Sequence, residues 1–163
     1  MADNRLARAI GYLAALPLPL RRRATTLLFN SQVRFAGTGG LRFEKLTADE
    51  AVVVVRNRRK VQNHIGGVHA AAMALLAETA TGAVFGMNVP DAALPLLKTM
   101  HIDYLKRAKG DLRAVATLSA EQRARLASEP KGDLVVAVTV TDESGESPIA
   151  ATMSWAWVPK KRS

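Results

Sequence analysis

The chain has 163 residues, 48% of them apolar, carries a formal charge of +9 and contains no cysteine. A chain of this length can bury a sufficient core as one domain without a disulfide or a metal, and the missing thiols exclude disulfide frameworks, thiolate zinc sites, iron–sulfur clusters and cysteine nucleophiles together. The positive charge points to nucleic acid, an anionic membrane surface or a phosphate-bearing small ligand, but aromatic residues make up only 5%, too few to interleave with the basic clusters as a stacking platform for single strands.

Residues 1–31 alternate apolar and arginine positions at helical spacing, with Leu6, Ile10 and Leu13 on one stripe and a break at Leu16-Pro17-Leu18-Pro19. Two short helices joined by a proline turn are expected there, as an extension ahead of the main domain over 32–163. Asp3 ahead of the first arginine, and the arginines after the apolar stretch, do not fit a secretory signal. No run reaches the roughly 18 apolar residues of a membrane helix. A cytoplasmic protein without stable membrane insertion is the expectation.

From Arg34 to Leu46 the sequence reads as a strand interrupted by Gly37, Gly39 and Gly40, followed by a turn at Thr47-Ala48-Asp49-Glu50 and a second strand over Val52 to Val55. Ala70 to Phe85 is rich in Ala, Leu and Met and lacks proline, which predicts a helix about 24 Å long. It is apolar on nearly every face, so it has to be covered all round, and in a small domain the efficient cover is a curved sheet. The remainder alternates with period two: Met100, Ile102 and Tyr104; Leu112 to Leu118; Leu134 to Val140; and Ile149 to Trp157, the last two joined by a hairpin loop at Asp142 to Glu146. The expected class is α+β, with two strands, one long buried helix and four antiparallel strands.

Between Lys60 and Asp91 the only side chain other than histidine that can carry charge is Glu78, in the middle of that helix. An unpaired carboxylate in an apolar interior costs several kcal/mol or has its pKa driven upward, so it has either a partner or a job. The alternatives are a general base working near neutral pH and a carboxylate that faces solvent or an arginine across a subunit boundary. Upstream, Asn63-His64-Ile65-Gly66-Gly67-Val68-His69 delivers the chain to a helix start at about Ala70. Free amides there point outward with the positive end of the helix dipole and suit a developing oxyanion. Glu78 lies eight residues beyond Ala70, about 12 Å along the axis, so two antiparallel copies would be needed to bring that amide and that carboxylate to one carbon.

The pattern Asn63, Gly66-Gly67, Val68-His69, then an Ala-rich helix reaching Leu76-Ala77-Glu78, resembles the PaaI-like and DUF4442-type hotdog thioesterases. These have an Asn or Gln, a His-Gly-Gly at the helix start and an Asp or Glu two turns on. The stretch Tyr104 to Asp111 also looks like the family's exit from its third strand. The resemblance implies a hotdog fold, in which a curved antiparallel sheet wraps around one central helix. It implies a homodimer with two sites at the interface, or a dimer of such dimers, hydrolysing an acyl-CoA thioester without a cofactor or metal. Asn63 and the Ala70 amide of one subunit would hold the thioester carbonyl, with Gly67 beside the substrate and His69 shaping the loop, while Glu78 of the other acts as base or nucleophile. Lys106, Arg107 and Arg58 would meet the phosphates of coenzyme A; no nucleic-acid partner is expected.

Two positions depart from the family pattern. His-Gly-Gly is His69-Ala70-Ala71 here, adding methyl groups where bare backbone would approach a substrate. A Ser or Thr one turn beyond the acid is Gly82, leaving Thr79, Thr81 and Thr99 as candidates to orient Glu78. The alanines keep open the alternative of a non-catalytic acyl-CoA binding or sensing module.

Overall fold

The computed structural model describes residues 4–160. Two helices open it, α1 (Arg5–Leu13) and α2 (Leu18–Gln32), split by the proline turn. Asn4 caps α1 by accepting from the Ala7 N–H at 2.7 Å, and Pro19 sits in the first turn of α2, where its missing N–H costs nothing. Residues 1–3, part of the expected extension, lie outside the described residues.

A short helix follows, α3 (Arg34–Gly39), then β1 (Arg42–Leu46) and β2 (Glu50–Val55). The glycines expected to interrupt a strand instead end a helical turn. Gly40 takes the left-handed conformation (φ 71°) that closes it, and only from Arg42 does the chain extend. After a 3-10 turn at Arg59–Val61 comes the long helix α4 (Ala70–Gly86), then β3 (Ala93–Tyr104), β4 (Leu112–Thr117), α5 (Ala120–Ser128), β5 (Gly132–Asp142) and β6 (Ile149–Pro159). Helix α5 is an addition to the expected elements. It is opened by a capping box in which Ser119 and Gln122 bond each other's backbone N–H, and it buries Leu126 completely.

The six strands form one antiparallel sheet in the order β1-β2-β4-β5-β6-β3. Because β3 pairs only with β6, it is an edge strand, and this is why it tolerates Pro95 and starts well before the expected alternation at Met100. Helix α4 packs on β2, β3, β4, β5 and β6. Leu76, Ala80, Val84 and Phe85 are fully buried against the sheet side chains Val53, Met153 and Trp157. The cover falls short of the all-round burial predicted for this helix, because Ala74, Leu75, Glu78, Gly82 and Gly86 stay half-buried along one face. Ala70 and Ala71 at its start are exposed, and Glu78 is half-buried.

Candidate functional site

The loop before α4 is held by its own backbone and by three side chains. Asn63 N–H donates to the Gly67 carbonyl at 2.8 Å, Gly66 N–H returns to the Asn63 carbonyl at 3.1 Å, and His69 N–H reaches the Val61 carbonyl at 2.8 Å. Gly66 has φ 78°, a conformation that favours glycine. The Asn63 side-chain oxygen accepts from the N–H groups of Ile65 and Gly67, each at 3.1 Å. Arg107 donates to the Ile65 carbonyl at 2.9 Å, and Asn57 donates to the Gly66 carbonyl at 3.1 Å.

His69 is the N-cap of α4. Its ring Nδ1 accepts from the Ala71 N–H at 3.0 Å. With Ala71 taken by the ring, and the Ala72 and Met73 N–H groups by the His69 carbonyl, the Ala70 N–H is left with no acceptor among the described residues. It is an outward-pointing donor at the positive end of a 17-residue helix. Tyr104, the last residue of β3, donates its phenol to the Ala70 carbonyl at 3.1 Å and so holds the next peptide unit of the helix start.

Glu78 sits two turns further on. Burial raises the pKa of its carboxyl, and the hydrogen bond from the Thr79 hydroxyl opposes this to a smaller extent. Its one hydrogen-bond partner among the described residues is the Thr79 hydroxyl, at a long 3.4 Å. Of the three threonines considered as its orienting group, Thr81 is engaged elsewhere: its hydroxyl donates to the Ala77 and Glu78 carbonyls and accepts from the Trp155 indole N–H at 3.0 Å. Gly82 has a packing reason, since a Cβ there would fall 2.7 Å from the Trp155 ring. Glu78 opens onto a cavity of about 720 Å³ whose other walls include Leu28, Phe29 and Trp155.

Comparisons with known proteins give the family and the fold. Residues 21–158 match the model of a domain of unknown function, DUF4442. The chain belongs to the DUF4442 family. Its fold is the hotdog fold. A protein of unknown function from Pseudomonas aeruginosa, described as a probable thioesterase, is 28% identical, with 89% of this chain and 97% of that one covered and a TM-score of 0.74. A thioesterase from Haemophilus influenzae superposes at a TM-score of 0.67 with 12% identity, over 85% of this chain and 90% of its own. A mutant thioesterase, also from Pseudomonas aeruginosa, does so at 0.68 with 16% identity, over 83% and 94%. Among curated proteins, none matches the chain in sequence.

Within this DUF4442 domain, Asn63, Gly67, His69, Ala70 and Arg107 come together around one loop and helix start. Glu78 does not join them within one chain, because it lies two helical turns along α4 and opens on the cavity. The basic residues also separate. Lys106 pairs with Glu146. Arg58 lines a small pocket of about 180 Å³ with Arg42, Arg56 and Lys60, none of whose lining residues is a carboxylate. Tyr104 and Thr79 are the site-proximal residues not singled out from sequence. Tyr104 stood only in the strand alternation and at the start of the stretch resembling the family's strand exit, and Thr79 was one of three equivalent candidates. Among the described residues no group of three or more His, Asp or Glu side chains could hold a metal ion, and no helix is long and apolar enough to cross a membrane.

Proposed function

We propose that this chain is a thioester hydrolase acting on acyl-CoA as a homodimer, without a cofactor, in the cytoplasm. The observation that carries the reading is Glu78, a carboxylate kept in an apolar setting with one long hydrogen bond, its pKa raised by burial toward the range of a general base. Water bound beside it loses a proton to the carboxylate as its oxygen adds to the thioester carbonyl carbon. The negative charge moves to the carbonyl oxygen, which the Ala70 N–H holds at the positive end of α4. Collapse of this intermediate breaks the carbon–sulfur bond, releasing the acid and the CoA thiolate, which takes up a proton. Direct attack by the Glu78 carboxylate on the carbonyl, followed by hydrolysis of the anhydride, is the alternative route.

Ala70 and Glu78 are about 12 Å apart along one helix, so each site takes the amide from one subunit and the carboxylate from the other. The edge strand β3 supports this assembly. It exposes Leu94, Leu96, Met100 and Tyr104 along an unpaired edge, a liability that pairing with a second copy removes. Asn63 steadies the loop that carries the amide. The phosphates of CoA fit the acid-free pocket around Arg58 better than Lys106, which Glu146 already neutralises.

The test is thiol release from a panel of acyl-CoA esters, with Glu78→Gln beside the native protein. Turnover that falls at least about 100-fold in the variant supports the reading, and full turnover in the variant sinks it. The exposed methyls of Ala70 and Ala71 favour one second reading, a CoA-ester binding module. CoA-ester affinity without thiol release at any chain length would establish that instead.

A further inference from the structure

Helix α1 lies wholly before residue 21, where the family match begins, yet it builds one wall of the cavity above Glu78. Leu6 and Ala9 come from α1, Leu28 and Phe29 from α2, and Trp155 from β6. On α4 the floor is Glu78, Gly82 and Gly86, a stripe at i, i+4 and i+8 that runs about 12 Å along the helix. The volume of about 720 Å³ lies within the roughly 300–1,000 Å³ of small-molecule pockets. Its polar groups fall near the two ends of the stripe: Glu78 and Thr79 at one, Arg5, Asp91 and Lys160 beyond the other.

Anchoring fixes the position of α1. Asn4, 2% exposed, donates from its side-chain amide to the Gly86 carbonyl at 2.9 Å and the Val89 carbonyl at 2.7 Å. The Arg5 N–H donates to the Asp91 carboxylate at 3.1 Å. These bonds tie the start of α1 to the C-terminal end of α4, and Leu6 packs over Gly86, its Cδ2 at ordinary contact distance (3.6 Å) from where a Cβ would stand.

We propose that α1 is the chain-length gauge of the site: an aliphatic acyl chain, its carbonyl end at Glu78, extends through this cavity past the Trp155 ring that covers Gly82, and Leu6 and Ala9 set how long a chain is accepted. The identity of the occupant rests on the hydrolase reading above; the pocket does not. Continuity of the apolar walls with Glu78 favours this occupant, because a group reacting at that carboxylate is adjacent to a wall of Leu6, Leu28, Phe29 and Trp155. The predominance of apolar lining, with Asn4 and Gln32 the other polar side chains of the wall, favours a plain hydrocarbon chain over a hydroxylated or charged acyl group.

The experiment uses the full chain and two kinds of readout. One is displacement of the fluorescent fatty acid cis-parinaric acid by hexanoate, decanoate and hexadecanoate. The other is thiol release from the matching CoA esters. Ala9→Phe fills the wall and is expected to shift the preference between long and short chains by about tenfold toward the short ones. Leu6→Ala enlarges the space and is expected to shift it the other way. The second variant carries the test if circular dichroism shows the first unfolded. Length profiles in both readouts that coincide with the native protein's overturn the inference, as does the failure of any fatty acid to displace the probe. Shifted fatty-acid profiles without thiol release from any ester would leave the pocket standing and remove the hydrolase reading. Thiol release with unshifted profiles would do the reverse.

Discussion

Glu78 in the middle of α4 and Asp142 at the end of β5 are both withdrawn from water, yet the protein solvates only one of them. Asp142 is 7% exposed. One of its oxygens accepts from the Ser144 hydroxyl at 2.6 Å and the Ser144 N–H at 2.9 Å, and the other from the Lys109 N–H at 2.9 Å. These donors, the Ser144 hydroxyl foremost, hold its carboxyl down at about 2. Glu78 has a single hydroxyl at 3.4 Å, and burial pushes it up. A carboxylate that serves the fold is saturated with donors, and one held ready to accept a proton is left short of them. The Asp142 constellation locks the β5–β6 hairpin to the turn after β3. The Glu78 setting contributes nothing to stability, which fits the base role proposed for it.

The largest effect expected from this contrast is on turnover. Glu78→Gln loses at least about 100-fold in thiol release. In the native protein kcat rises with pH through the raised Glu78 pKa, since the base acts only when deprotonated; a flat acidic limb in the pH profile would break the comparison. Next comes Asp142→Ala, which costs about 2–3 kcal/mol in urea unfolding at neutral pH, because it strands the donors of Ser144 and Lys109. The sign with pH follows from the depressed pKa. The Asp142 contribution is fully present above the unfolded value of about 3.9 and is lost as pH falls toward about 2, so the native and Asp142→Ala unfolding curves converge in acid.

Glu78→Gln has a smaller, opposite effect on stability. The raised pKa means that the folded state resists ionising this group, so the burden is absent below the ordinary carboxylate range and present above the raised pKa. The variant is therefore more stable by about 1 kcal/mol at neutral pH, with the gain vanishing in acid. Smallest is His69→Ala, which removes the α4 cap and costs about 1 kcal/mol or less, most of it recovered by His69→Asn, whose side chain also caps. Thermal melts of the pair read this directly.

Much of this architecture was legible in the sequence because it rests on periodicity and on one missing charge type. Helix α4 stood out as a stretch without polar faces, and Glu78 as its one carboxylate. The strands β4, β5 and β6 alternate cleanly. What escaped depended on neighbours. The glycines at 37, 39 and 40 end helix α3 and do not bend a strand, because Gly40 has room for a left-handed turn. Pro95 hid the first half of β3, which is possible only because β3 is an edge. Helix α5 rests on the Ser119–Gln122 capping box, a four-residue signal inside an otherwise unremarkable stretch. In the site, the loop and helix start were readable, but three details depend on rotamers and packing. The Asn63 oxygen folds its own loop, the His69 ring caps the helix, and Thr79 rather than Thr81 or Thr99 meets Glu78. Gly82, an unexplained departure in sequence, is the space occupied by Trp155.

The central claim, that each site joins the Ala70 amide of one subunit to Glu78 of the other, is tested most directly by mixing two defective proteins. Ala70→Pro removes only the N–H: proline is favoured at the first helical position, and His69 already has the extended backbone (φ −65°, ψ 144°) that a following proline requires. Alone, Ala70→Pro and Glu78→Gln should each fall about 100-fold in thiol release. After unfolding and refolding together in equal amounts, activity should return to about a quarter of the native value, one intact site in each of the half of dimers that are mixed. No recovery in mixed dimers demonstrated by mass spectrometry would contradict the shared site.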